Sequence, residues 1–126
     1  MSDTPTPYQM AMAAAAASAE KKATNIRVLN VGDLIGVTEY FVLASASNER
    51  LLGTIADEVH QQLKRDLGVA PRRKEGSPDT GWMVVDYGDI MVHVFTEEQR
   101  AYYDLERLWS DADAFTYEEP QPSAQV

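Results

Sequence analysis

The chain has no cysteine among its 126 residues. That excludes a disulfide framework, a thiolate metal site and a cysteine nucleophile. It also lacks any apolar run near the ~20 residues that span a bilayer. No Lys or Arg precedes Lys21, so the N-terminus reads neither as a signal peptide nor as an Arg-rich transit peptide. No H-E-x-x-H or comparable ligand spacing occurs, and no internal repeat is visible. Basic residues are scarce where acids are dense. Residues 82–126 hold 2 Lys/Arg against 10 Asp/Glu, whereas residues 1–81 hold 9 against 10. Of the formal net charge of −9, the last third therefore carries −8. Such a surface repels phosphate backbones and attracts basic proteins, or serves solubility alone.

What remains is ordinary for a folded domain. Hydrophobic residues make up 44% and charged residues 25%, enough for one core in a chain of modal domain length. The polar stretch 1–7, with two prolines, predicts a disordered start. The Ala-rich stretch from Tyr8 onward predicts a helix ending at the Glu20-Lys21-Lys22 surface turn. Asn25–Val31 and Tyr40–Ala46 read as strands. In the first, Ile26 and Val28 face one way and Leu29 and Val31 the other. The second is apolar almost throughout, which suits a central position covered on both faces. Ser47 is the expected N-cap of a following helix. There Leu52, Ile55, Ala56, Val59, Leu63 and Leu67 recur on one face, and Gly68 ends it. His60 falls among polar neighbours and reads as solvated.

Val69–Thr80 carries the basic trio Arg72-Arg73-Lys74 and predicts a short edge strand with gatekeeping charges, then a loop. Trp82–Val85 and Ile90–Phe95 read as a hairpin around Asp86-Tyr87-Gly88-Asp89. Alternation puts Trp82, Val84 and Asp86 on one face and Met83, Val85 and Tyr87 on the other. Met91, His93 and Phe95 likewise oppose Ile90, Val92 and Val94, but the register between the strands stays open. Thr96 caps a further helix, with Glu97 and Glu98 at its positive end. Spacing places Leu105, Leu108 and Trp109 together on a helical turn. The acidic residues 113–126 predict a flexible tail, leaving residues 8–112 as a single domain. The order of elements implies an α/β fold, a mixed sheet flanked by helices.

Two blocks carry more than pattern. Residues 82–95 read WMVVDYGDIMVHVF and residues 102–112 read YYDLERLWSDA. Together with TEYFVLASASNERLLGTIADEV at residues 38–59, they resemble the ribosomal silencing factor family, also called the Iojap family. Ala46 stands where the family often has Gly, and Glu39 where Asp is commoner. The resemblance implies a mixed, mostly five-stranded sheet similar in fold to nucleotidyltransferases. It implies a cytoplasmic translation repressor without cofactor or metal. Such a protein binds the large ribosomal subunit through large-subunit ribosomal protein fourteen, blocks joining of the small subunit, and forms a homodimer when free. Carried over residue by residue, the expected contacts are Trp82, Tyr87, Asp89, His93, Tyr103, Asp104 and Glu106. Trp82 and Tyr87 would be anchors, while Asp89, Asp104 and Glu106 would meet Lys or Arg. Against this background the basic trio has an alternative reading as a contact to ribosomal RNA or an acidic partner. The rival function is phosphotransfer, with Asp86 and Asp89 holding a divalent metal and Ser45-Ala46-Ser47-Asn48 opening an anion site. Capping and turn chemistry account for those same residues, and no Gly-Ser opening paired with an Asp-x-Asp strand is present.

Overall fold

The structure, a computed structural model, describes residues 4–118. The expected disorder of residues 1–3 and the tail beyond residue 118 lie outside the described residues. Thr6 opens the first helix, α1 (Pro7–Glu20), through a reciprocal capping box. Its hydroxyl accepts from the Gln9 backbone N–H at 3.0 Å, and the Gln9 side chain accepts from the Thr6 N–H at 2.9 Å. The expected disorder to residue 7 therefore gives way at Thr6, because the box satisfies orphan donors of the first turn. The alanines have no bulk to hold α1 away from its neighbours. Ala11, Ala14, Ala15 and Ala17 are fully buried.

Strands β1 (Thr24–Asn30) and β2 (Tyr40–Ala46) are antiparallel neighbours, joined through the short helix α2 (Gly32–Ile35). The long helix α3 (Glu49–Leu67) follows and buries the expected face of Leu52, Ile55, Ala56, Val59 and Leu63. Its N-cap is Asn48 rather than Ser47. The Asn48 side chain accepts from the Leu51 N–H at 2.8 Å. Gly68 closes the helix with φ of +70°, a conformation that costs glycine nothing. Then come β3 (Arg73–Ser77), β4 (Trp82–Asp86) and β5 (Ile90–Thr96), followed by α4 (Glu97–Tyr103), α5 (Leu105–Leu108) and β6 (Asp113–Thr116).

The sheet runs β3-β4-β5-β2-β1-β6. Among the described residues only β2 and β5 are parallel neighbours. The sheet has six strands rather than five. Residues 113–116 read as tail because they are acidic and short, yet they pair antiparallel with β1, Phe115 opposite Val28. An open strand edge templates such pairing, and no local signal in the added segment announces it. The Tyr117 N–H then donates to the Ile26 carbonyl at 2.8 Å, extending the ladder.

Alternation divides the apolar residues between the two sheet faces. On one face α1 and α3 close a large aliphatic core. It holds Ile26, Val28, Val42, Val85, Ile90, Val92 and Val94. On the other lies a smaller cluster of Leu29, Val31, Phe41, Leu43 and Phe95. Trp82, Met91, Leu105, Trp109 and Ala112 pack around it, half-buried. β2 faces both clusters and is buried from Phe41 to Ala46, as its composition predicts.

Candidate partner-binding surface

The β4–β5 register decides what the second face presents. Trp82 pairs with Phe95, Val84 with His93, and Asp86 with Met91. All six side chains thus share one face, while Met83, Val85, Val92 and Val94 turn to the helices. The tight return is made by Gly88 at φ +86°. The Asp86 carboxylate accepts from the Gly88 N–H at 2.8 Å.

On that face the aromatic rings form a continuous layer. Trp82 stacks on Phe95 with centroids 5.0 Å apart and planes at 24°. Tyr103 comes to 4.4 Å from Trp82, and Phe41 meets His93 edge-on at 4.7 Å. The Trp82 indole Nε1–H donates to His93 Nδ1 at 3.2 Å. Burial pushes the His93 pKa from 6.5 down to about 4, because a charged ring would lose its hydration there. The layer is not sealed. Trp82, Val84, Met91, His93 and Tyr103 line a groove of about 450 Å³, with Glu75, Gly76 and Thr80 completing its wall.

Tyr103 reaches this place through local chemistry. The Thr96 side chain accepts from the Gln99 N–H at 3.3 Å and starts α4 as expected. The helix then breaks at Asp104, which adopts a left-handed conformation with φ +49°. The break turns Leu105 and Trp109 onto the sheet but leaves Leu108 outward and exposed. The expected grouping of Leu108 with Leu105 and Trp109 is therefore wrong by one side chain.

Arg100 holds this corner, and nothing in the sequence pointed to it. It is 6% exposed. Its guanidinium donates to the Asn25 carbonyl on β1, to Ser45 Oγ on β2 at 2.9 Å, and to both Glu106 carboxylate oxygens at 3.2 and 3.0 Å. Arg27 adds a second cation 3.4 Å from Glu106. Burial alone would raise the Glu106 pKa, but Arg100 and then Arg27 hold it below the ordinary carboxylate range. Glu106 is six residues from Arg100, but Asn25 and Ser45 lie 75 and 55 residues from it, and Arg27 lies 79 from Glu106. A local motif has no way to show them.

The seven expected contact residues are thus only partly brought together. Trp82, His93 and Tyr103 converge. Tyr87 does not, for it sits in the aliphatic core on the opposite face at 7% exposure. Burial pushes its phenol up to about 12. Asp89 lies exposed at the turn, where its backbone carbonyl accepts from the Glu39 N–H at 2.9 Å. Asp104 is exposed beside Tyr103. Glu106 is engaged by its own chain.

The rival sites fare differently. Asp86 is spent on the turn and on Arg73, 3.4 Å away. Among the described residues no group of three or more His, Asp or Glu side chains is placed to hold a metal ion. The basic trio is exposed, and each member also meets a group of its own chain. Arg72 lies against Gly88, Arg73 pairs with Asp86 and Glu75, and Lys74 contacts His60 at 3.1 Å. His60, expected to be merely solvated, thus has a cation partner across the α3–β3 boundary. No helix among the described residues is long and apolar enough to cross a membrane.

Comparison with known proteins agrees with the two sequence blocks. A family model described as ribosomal silencing factor during starvation matches residues 4–126. The Bacillus subtilis ribosomal silencing factor is 36% identical over 99 residues, 79% of this chain and 83% of that protein. The chloroplastic Iojap protein of Zea mays is 36% identical over 105 residues, 81% of this chain but 44% of the longer plant protein. Among solved structures, a Chromobacterium violaceum protein superposes with a TM-score of 0.78 at 28% identity, covering 92% of this chain and 91% of that one. A Bacillus halodurans protein superposes with 0.71 at 30% identity, covering 89% and 99%. A family model over nearly the whole chain, relatives at this identity and superposable solved structures converge on one conclusion: the chain belongs to the ribosomal silencing factor family.

Proposed function

We propose that this protein lowers translation by binding the large ribosomal subunit through large-subunit ribosomal protein fourteen and excluding the small subunit. The activity is binding alone, in the cytoplasm, with no bond made or broken and no cofactor required. The observation that carries it is the open aromatic groove at Trp82, His93 and Tyr103. Aromatic side chains at the centre of a patch with a polar rim are the usual chemistry of a binding hot spot. The exposed Asp89 and Asp104 supply acid around it, and the surplus negative charge of residues 82–126 steers a basic partner toward it. Tyr87 and Glu106 act from within the fold in this reading, not as direct contacts. The free protein pairs with a second copy through a surface that overlaps the groove, so a cross-linked dimer loses subunit binding.

Sedimentation of the purified protein with isolated large subunits, small subunits and joined ribosomes tests the proposal. The expected result is salt-sensitive co-migration with large subunits alone and fewer joined particles. Absence of association with any particle would overturn it.

A further inference from the structure

His93 combines two properties that do not suit a purely structural side chain. Its ring is 5% exposed, and Nδ1 accepts the Trp82 indole N–H. A neutral imidazole carries one proton, so the proton sits on Nε2. That Nε2–H has no hydrogen-bond acceptor among the described residues. Buried donors are ordinarily satisfied, and an orphan one is a cost to the fold. The same residue lines the groove together with Met91 and Tyr103. An aliphatic or phenyl side chain would fill the volume without an orphan Nε2–H, at the loss of the acceptor for the Trp82 indole N–H.

We infer that the groove is a receptor for a neutral carbonyl oxygen of a basic peptide segment, which accepts the His93 Nε2–H. The assignment rests on the proposed function and states what the partner must present. Three features select this chemistry. The donor is fixed, because the Trp82 N–H holds the ring in one tautomer. The ring stays neutral at physiological pH, since burial keeps its pKa near 4, so it offers a dipole and not a charge. The acidic surplus of residues 82–126 favours Lys or Arg next to the carbonyl, whereas Glu75 on the groove wall is already paired with Arg73. Trp82, Val84, Met91 and Tyr103 supply apolar walls for the segment. The occupant displaces part of the groove lining to reach Nε2, which is closed to solvent in the free protein. Tyr103 is placed for that movement, being 44% exposed on the last residue of α4.

The test compares His93→Phe and His93→Gln in the full chain, with isolated large ribosomal subunits as the binding probe and thermal unfolding as the control. Phenylalanine keeps a ring and loses both the Nε2–H donor and the Nδ1 acceptor of the Trp82 N–H. Glutamine loses the ring and keeps an N–H. The expected result is that His93→Phe binds at least tenfold more weakly while its Tm is unchanged or higher, and His93→Gln stays within about threefold of the unaltered protein. Stability and affinity then move in different directions, which a structural role does not produce. Unchanged binding by His93→Phe would overturn the inference while leaving the proposed function standing. A parallel fall of Tm and affinity in both variants would also overturn it. Failure of the unaltered chain to bind large subunits would remove the proposed function and this assignment together.

Discussion

The two faces of the sheet use the same strands for opposite ends. The face toward α1 and α3 is aliphatic, with Val28, Val42, Val92 and Val94 fully buried under two helices. The face toward α4 and α5 is aromatic and only partly roofed, with Trp82 and Met91 half-buried and a groove left open. The first carries an orphan of its own, the Tyr87 hydroxyl, closed off within the aliphatic core. The second retains an orphan imidazole donor, an arginine buried among distant partners, and a left-handed aspartate at the corner of its roof. Departures from local consistency tend to gather where a protein functions, and on this face three of them adjoin an open groove.

Substitutions separate the two faces, beginning with the largest effect. Ile55→Ala empties the aliphatic core from α3 and should cost about 2–5 kcal/mol of stability. Chemical denaturation reads that loss, and the folded remainder should bind its partner unchanged. A large affinity loss in that remainder would break the division of labour between the faces.

Arg100→Ala should move both quantities. It removes donors to Asn25 and Ser45 and leaves the Glu106 carboxylate with Arg27 alone. About 3 kcal/mol is expected, the scale of breaking a buried pair by deleting one partner. Tyr103 and Trp109 lose their fixed placement with it, so near-ultraviolet circular dichroism should change along with binding. Wild-type binding and an unaltered aromatic spectrum would show that the corner holds without Arg100.

Acid should act through the same face. The folded His93 pKa lies below its ordinary value, so the unfolded chain takes up a proton first as pH falls from 6.5 toward about 4. Stability contributed by this residue is therefore complete above pH 6.5 and is lost on acidification through that window, by on the order of 3 kcal/mol. Glu106 has the same sign, being depressed by Arg100 and Arg27, and loses its contribution at lower pH still. Between pH 6.5 and 4 the denaturation midpoint of the unaltered protein should fall relative to that of His93→Gln, whatever their difference at neutral pH. Parallel curves would remove His93 from the account.

Trp82→Ala should weaken large-subunit binding by roughly 30-fold, near 2 kcal/mol, with a smaller change in stability because the indole is half-buried. The smallest effect belongs to the exposed rim. Asp89→Lys should slow association about fivefold and leave stability within about 0.5 kcal/mol. Stopped-flow measurements at two salt concentrations check it. An association rate indifferent to both charge and salt would deny the acidic rim any steering role.

How much was legible in the chain follows from how far each interaction reaches. Alternation in β4 and β5 placed Trp82 apart from Val85 before any coordinates, because a strand's side chains have no other option. The 3.6-residue period exposed the buried face of α3 for the same reason. Ser47 and Asn48 differ by one residue, both are capping types, and only the turn geometry chooses between them. Tyr87 matched a family motif and was expected on the surface. Its parity with Met83 and Val85 already pointed to the other face, which the aliphatic core confirmed.

The sequence by itself determined the sheet-forming segments, the two long helices, the acidic last third and membership of the family, because each is written in neighbouring residues. The tertiary structure alone decided the hairpin register, the sixth strand on the β1 edge, the Arg100–Glu106 clamp and the orphan donor of His93. The sixth strand and the bonds that tie Arg100 to β1 and β2 and Arg27 to Glu106 join groups 55 or more residues apart. The hairpin register and the His93 environment are set by what packs across the sheet. Local propensity says nothing about such pairs, and packing settles them.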